Sequence, residues 1–250
     1  MGKKGIWLLV SLGLIWAYSP VFGYHPLSTD DPGTTEFRHF ELEWGNDFTF
    51  PESELKDISG YVQIKAGLAK SLELDFAQGW TYWRDEPGLA SSGWQDATVA
   101  LKYRFYGDGD GPFNFALGAI FNLPSGESKK GLSEGDDIIP TLYLIGTAGS
   151  ERVRVLMNFG ASFYPSSSEQ DPIYLYGLAL EYSLKDNLAL VGEIYGESDF
   201  SKDNPNDCLE GLVGAVYSVK DWLSLSAGIG LGLDEDSPDY RFTFASLIGW

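Results

Sequence analysis

From Phe40 onward the chain alternates in polarity. Phe40-Glu41-Leu42-Glu43-Trp44 sets apolar and acidic residues on opposite faces, and Val62, Ile64 and Leu68 alternate with Gln63, Lys65 and Gly67. The same two-residue period runs through Leu72-Glu73-Leu74-Asp75-Phe76 and through residues 99–105, 153–159, 223–233 and 240–250. That period belongs to strands with one greasy and one polar face. About twelve such segments centre on Leu42, Ile64, Phe76, Leu101, Leu117, Leu142, Met157, Leu178, Leu190, Val213, Ile229 and Phe244. Each is close to the roughly 9–11 residues a tilted strand needs to cross a membrane. Alternation blurs in the sixth segment, 138–146, where Pro140 weakens the strand, and in the tenth. Roughly ten to fourteen strands therefore fit the pattern.

The connections alternate in length. Lys70-Ser71, Lys185-Asp186-Asn187 and Lys220-Asp221 are short, and 107–111 and 148–150 only slightly longer. Between them lie longer polar loops at 49–58, 84–93, 124–137, 165–172, 198–207 and 234–238. Short turns on one side and long loops on the other describe an outer-membrane barrel, with the short turns periplasmic. A soluble sandwich also alternates. Three features favour the barrel. The polar face carries small residues such as Gly67, Gly118, Gly160, Gly177, Gly228 and Gly230, which a narrow lumen tolerates. Aromatics gather at strand ends: Trp44, Phe48, Trp80, Tyr82, Trp83 and Trp94 toward the long loops, and Tyr103, Phe105, Phe113 and Phe115 toward the short turns. Trp250 lies in phase with Ile248 and Phe244, the place of an outer-membrane assembly signal. The fold expected is all-β: a transmembrane antiparallel β-barrel over residues 35–250.

Composition narrows the chemistry. The formal charge of -19 argues against nucleic acid, whose phosphates need cations to replace their counterions. One cysteine and two histidines leave no disulfide within the chain and no metal centre. Lys3 and Lys4, the apolar run 6–16 and the modest residues before Gly23 have the layout of a secretory signal peptide over residues 1–23. Residues 24–34 then form an N-terminal periplasmic segment.

Barrel geometry turns one alternating set inward. By phase that set contains Glu41, Glu43, Lys65, Glu73, Asp75, Asp96, Lys102, Arg104, Arg154, Glu181, Glu193 and Arg241. Mixed signs fit either a polar pore whose charges set selectivity or a lumen plugged by ion pairs. Tyr61, Tyr164 and Tyr195 share the inward phase, as a slide for ring-shaped solutes or as filling. Asp30 and Asp31 have three readings: a plug or lining at the mouth, a cation site, or plain bonds to neighbouring backbone N–H groups. A barrel enzyme needs a nucleophile within hydrogen-bond reach of a base. His39, read in strand phase with Glu41, has no obvious serine near it, and no enzyme is expected.

Several stretches, taken in order, resemble one family. They are His25-Pro26-Leu27-Ser28-Thr29-Asp30-Asp31-Pro32-Gly33-Thr34, Gly93-Trp94-Gln95-Asp96, Lys102-Tyr103-Arg104, Leu123-Pro124-Ser125-Gly126-Glu127, Ser218-Val219-Lys220-Asp221-Trp222-Leu223 and Pro238-Asp239-Tyr240-Arg241-Phe242. The family is the "putative MetA-pathway of phenol degradation" group of proteobacterial outer-membrane proteins. The resemblance spans nearly the whole chain after residue 23, and the entry motif with His25, Thr29, Asp30, Asp31, Gly33 and Thr34 is its most specific part. Trp250 departs from the phenylalanine usual there. The resemblance implies an outer-membrane, transporter-like barrel for small, hydrophobic or aromatic solutes. The expected partners are outer-membrane lipid, lipopolysaccharide, the barrel assembly machinery and a small-molecule solute. No cofactor is implied, and a self-closed barrel suits a monomer. The alternatives are a closed structural or surface-interaction barrel and an outer-membrane acyl hydrolase.

Overall fold

The computed structural model describes residues 24–51, 57–86, 89–133, 135–165, 171–200, 207–234 and 237–250; the signal-peptide expectation for 1–23 lies outside them. Twelve strands follow in chain order: β1 (Phe40–Phe50), β2 (Asp57–Ala69), β3 (Leu72–Glu86), β4 (Leu89–Tyr106), β5 (Phe113–Leu123), β6 (Ile139–Gly149), β7 (Val153–Ser162), β8 (Ile173–Lys185), β9 (Leu188–Ser198), β10 (Cys208–Lys220), β11 (Leu223–Gly232) and β12 (Tyr240–Gly249). Every strand pairs antiparallel with its chain neighbour, and β1 pairs with β12 to close the ring. Closure leaves no strand edge unpaired. Each of the twelve expected centres falls in its own strand.

The seam is tied at both ends. Glu41 pairs with Gly249 and Phe50 with Tyr240, and Phe40 and Trp250 exchange backbone hydrogen bonds of 3.0 Å each. Their rings stack at 6.1 Å.

The two faces of the wall differ as the alternation requires. Leu117, Leu144, Met157, Leu178, Ile194, Val213, Ile229 and Phe244 stand exposed on the outside. A belt of this kind is unfavourable in water and suited to a hydrocarbon surround. Stacked pairs mark both rims: Phe105–Phe115 near the short turns, Phe159–Tyr174 near the long loops.

Four local expectations are corrected. The stretch 84–93 is not a loop: β3 continues to Glu86 and β4 begins at Leu89, with Trp83 opposite Ser91 and Arg84 opposite Ala90. Trp44 sits in mid-strand opposite Ser246 and Val62, not at a rim. β6 runs three residues further than read, to Gly149, and Pro140 lies near its start, where a missing N–H costs little. His39 lies before β1, not in a strand; its side chain is exposed and 3.7 Å from Glu36.

Candidate functional site: the filled lumen

The expected inward set, apart from Asp96 at a register irregularity of β4, lies on the inner parity of its strands, and most of it is buried. Glu43, Glu73, Asp75, Lys102, Arg104, Glu181, Glu193 and Arg241 are each less than a tenth exposed. A buried charge persists only when paired or hydrogen-bonded. Three knots of charge supply those partners. Glu43 accepts from Tyr61 Oη at 2.5 Å and from Lys65 Nζ at 3.1 Å. Arg154 forks onto both oxygens of Glu181 at 3.2 and 2.9 Å. Arg241 binds Glu210 through Nε at 3.0 Å and reaches Asp47 at 3.4 Å.

Further partners come from the N-terminal segment, although among the described residues neither oxygen of buried Asp75 has a hydrogen-bond partner. Residues 24–36 do not lie beneath the barrel as a separate periplasmic piece; they thread up into it. His25 sits between Ser226 Oγ (2.6 Å) and Thr243 Oγ1 (2.7 Å). The backbone N–H groups of Ser28 and Thr29 donate to the two oxygens of Glu193 at 2.7 and 2.9 Å. Asp30 accepts from Lys102 Nζ at 3.0 Å, and Lys102 also lies 3.3 Å from Glu73. Asp31 is 3.7 Å from Arg154. Thr35 donates to Glu73 through N (2.5 Å) and Oγ1 (2.7 Å). Asn158, its carboxamide oriented as its neighbours dictate, accepts from the Asp30 N–H at 2.7 Å and donates to the Asp30 carbonyl at 3.0 Å.

Apolar contact adds to this. Leu27 fills a niche of Leu156, Ala179, Val191 and Leu212, flanked by Tyr24 and Val216. Full burial of a leucine side chain stabilises by about 1.5–3 kcal/mol. The small residues of the inner face now have a cause. A side chain at Gly177 would strike Thr29, one at Gly214 would strike Pro26, and one at Gly67 would strike the backbone at Glu36.

Three titratable groups on the segment sense this burial. Burial pushes the Asp30 carboxyl up to about 6 against the pull of Lys102. Burial lowers His25, against the nearby Glu43 and Asp47. Burial raises the Tyr24 phenol, helped by Glu181 and Asp31.

The long-loop end is narrowed separately. Asp96 is not a rung of the charge ladder; it ties down the loop after β5, accepting from Ser125 N (3.0 Å), Gly126 N (2.6 Å) and Ser133 Oγ (3.1 Å). Leu132 of that loop is buried near Gly93. Arg104 serves the opposite rim, donating to the Lys70 carbonyl at 3.2 Å. Glu41 is half-buried just inside β1.

The entry motif is mostly a docking element. Only Asp31 makes the expected local bond, to Gly33 N at 2.7 Å. Tyr61 and Tyr195 point inward but act as acid partners, on Glu43 and Glu197 (2.8 Å). Tyr164 lies beyond the end of β7. Asp47, Glu197 and Glu210 were missed, although they carry the same parity as Glu43, Glu193 and Leu212. Among the described residues no group of three or more His, Cys, Asp or Glu could hold a metal ion.

A family whose sequence model carries the description "Putative MetA-pathway of phenol degradation" matches residues 58–247. Among solved structures, an outer membrane channel from Pseudomonas putida F1 superimposes with a TM-score of 0.71 at 15% identity, covering 88% of this chain and 98% of that one. The KdgM porin gives 0.59 at 13% identity, over 83% of this chain and 98% of the porin. The NanC porin gives 0.58 at 7% identity, over 84% and 98%. Identities this low show the shared barrel fold. No curated protein sequence matches the chain.

Proposed function

The chain belongs to the family described as "Putative MetA-pathway of phenol degradation", and from that premise we propose that it is an outer-membrane conduit for small solutes, closed at rest by its own residues 24–36. One observation carries the reading. The lumen is lined by ionisable side chains, and what fills it is a tethered segment held mainly by hydrogen bonds and ion pairs, with one apolar anchor at Leu27. Contacts of that type can be exchanged for water or a solute. The acids Glu43, Asp47, Glu73, Asp75, Glu193 and Glu210 outnumber the cations Lys65, Lys102, Arg154 and Arg241 along this part of the wall. An opened lumen therefore prefers cations over small anions.

The finer features belong to the same reading. Residues 1–23 direct export and are removed. The barrel inserts as a monomer with the help of the assembly machinery, which Trp250 engages, and it meets lipid and lipopolysaccharide outside. Hydrophobic or aromatic solutes are suggested by the family description and by the apolar niche around Leu27. Catalysis plays no part: exposed His39 contacts Glu36, and the buried His25 ring is engaged by Ser226 and Thr243 in docking.

The test is single-channel recording of the refolded protein in a planar bilayer, as the unaltered chain and with Asp30→Asn plus Asp31→Asn. Rare, cation-preferring openings that become frequent in the double variant are expected. Two folded but silent proteins would sink the conduit reading and favour a closed structural barrel, which the filled lumen also fits.

A further inference from the structure

The contacts that hold residues 27–31 make up a recognition site, and we propose that the lumen binds short acidic peptides, with the N-terminal segment as its tethered occupant. The proposal rests on the conduit reading only for the route by which a ligand enters.

Four kinds of subsite line the wall. The Glu193 carboxylate accepts two successive backbone N–H groups, from Ser28 and Thr29. Asn158 brackets the next peptide unit, at Asp30, with one donor and one acceptor. Lys102 and Arg154 then take the two adjoining carboxylates. One residue ahead of the paired N–H groups, the apolar niche takes Leu27. Arg154, Leu156 and Asn158 are alternate residues on the inner face of β7, so the cation, the niche and the amide stand about 7 Å apart in succession.

This arrangement reads main chain as well as side chains. A filler that only excluded volume would need neither the Glu193 fork nor the Asn158 bracket. Gly177 leaves room for the Thr29 side chain against the wall, which selects a slim chain over a bulky solute. Removing the segment leaves buried polar groups without these partners, a costly state that a ligand of like chemistry relieves. The ligand class is therefore a short peptide with one apolar side chain of leucine size, three or four residues ahead of one or two carboxylates.

The tether sets the conditions of the test. A short linker holds its end at an effective concentration of order mM, so a free ligand competes poorly with an intact segment. The full chain carrying Leu27→Ala and Asp30→Asn keeps the wall intact but weakens its own occupant. The probe is the end-blocked heptapeptide Leu-Ser-Thr-Asp-Asp-Pro-Gly, compared with the same peptide bearing asparagine at both aspartates. Calorimetry is expected to show the acidic peptide binding at least tenfold more tightly, with the preference lost when Lys102→Met is added. Equal binding of the two peptides, or no binding of either, overturns the proposal. Conductance of the Leu27→Ala, Asp30→Asn chain without peptide tests the conduit reading separately. If that chain does not fold, the unaltered protein is titrated with the acidic peptide to several mM. Faster amide exchange at Ser28 and Thr29 supports the proposal, and unchanged exchange rejects it.

Discussion

Replacing Glu193 by glutamine tests what holds the segment in place. Its two oxygens accept the Ser28 and Thr29 N–H groups at 2.7 and 2.9 Å, deep in the wall of β9. Glutamine keeps the shape but offers one oxygen and an amide that is itself a donor. One N–H is then left facing another. A hydrogen bond to a charged group is worth about 1.5–3 kcal/mol, and an unsatisfied buried donor costs about 1–3 kcal/mol, the two overlapping in part. Docking should weaken by about 2–4 kcal/mol, raising the released population roughly 30- to 1000-fold. Residue-resolved amide exchange in detergent micelles reads this directly. Ser28 and Thr29 should exchange faster by that factor, with the strand amides of β8 and β9 unchanged. Glu197→Gln, which loses only the Tyr195 contact, is the matched control. Unchanged exchange at Ser28 and Thr29 would refute the reasoning. Uniform acceleration across β9 would show instead that Glu193 supports the wall.

Other predictions follow from the same geometry. Gly177→Val places a side chain where Thr29 packs; overpacking of about 1–3 kcal/mol should expel the segment, seen as protease cleavage within residues 24–36 of a still-folded barrel. Acid should loosen the segment through His25. It docks as the neutral ring, so its contribution is complete above its ordinary value of 6.5 and is lost below it. Lowering the pH from about 7 to about 5 should thus speed cleavage within residues 24–36, and less so in His25→Gln, read by the same assay. On the outer face, Ile194→Arg should cost about 2–4 kcal/mol of stability in a lipid bilayer, measured by urea unfolding in vesicles; a negligible change would place Ile194 outside the hydrocarbon.

The wall was legible in the sequence because a two-residue period has a single physical origin. Inward Glu73 and outward Leu74 differ by one peptide unit, and the preference of each face fixes the phase across the strand. The β3–β4 hairpin was not legible, because Pro87, Gly88 and the serines at 91 and 92 look like loop composition. The pairing of Ser91 with Trp83 and of Ser92 with Tyr82 is settled by partners on β3 rather than by local preference. The inner set was identified by parity, but parity does not say what occupies the space between strands. Asp30 looks like a turn residue because aspartates beside Pro-Gly commonly are. Its actual partner, Lys102, is 72 residues away. The inner glycines carried the missing signal: their places on the wall matched something close to it, and only the fold identified that as the chain's own segment.

The ring is closed by β1 and β12, whose paired residues stand about two hundred positions apart in the chain. The segment touches β3, β4, β7, β9, β11 and β12 at once. No partly assembled sheet presents all of those contacts together. Ordering of residues 24–36 is therefore expected as the last event of folding, after the seam has formed. Protection of the Ser28 and Thr29 amides would then serve as a clock for barrel completion, independent of any solute.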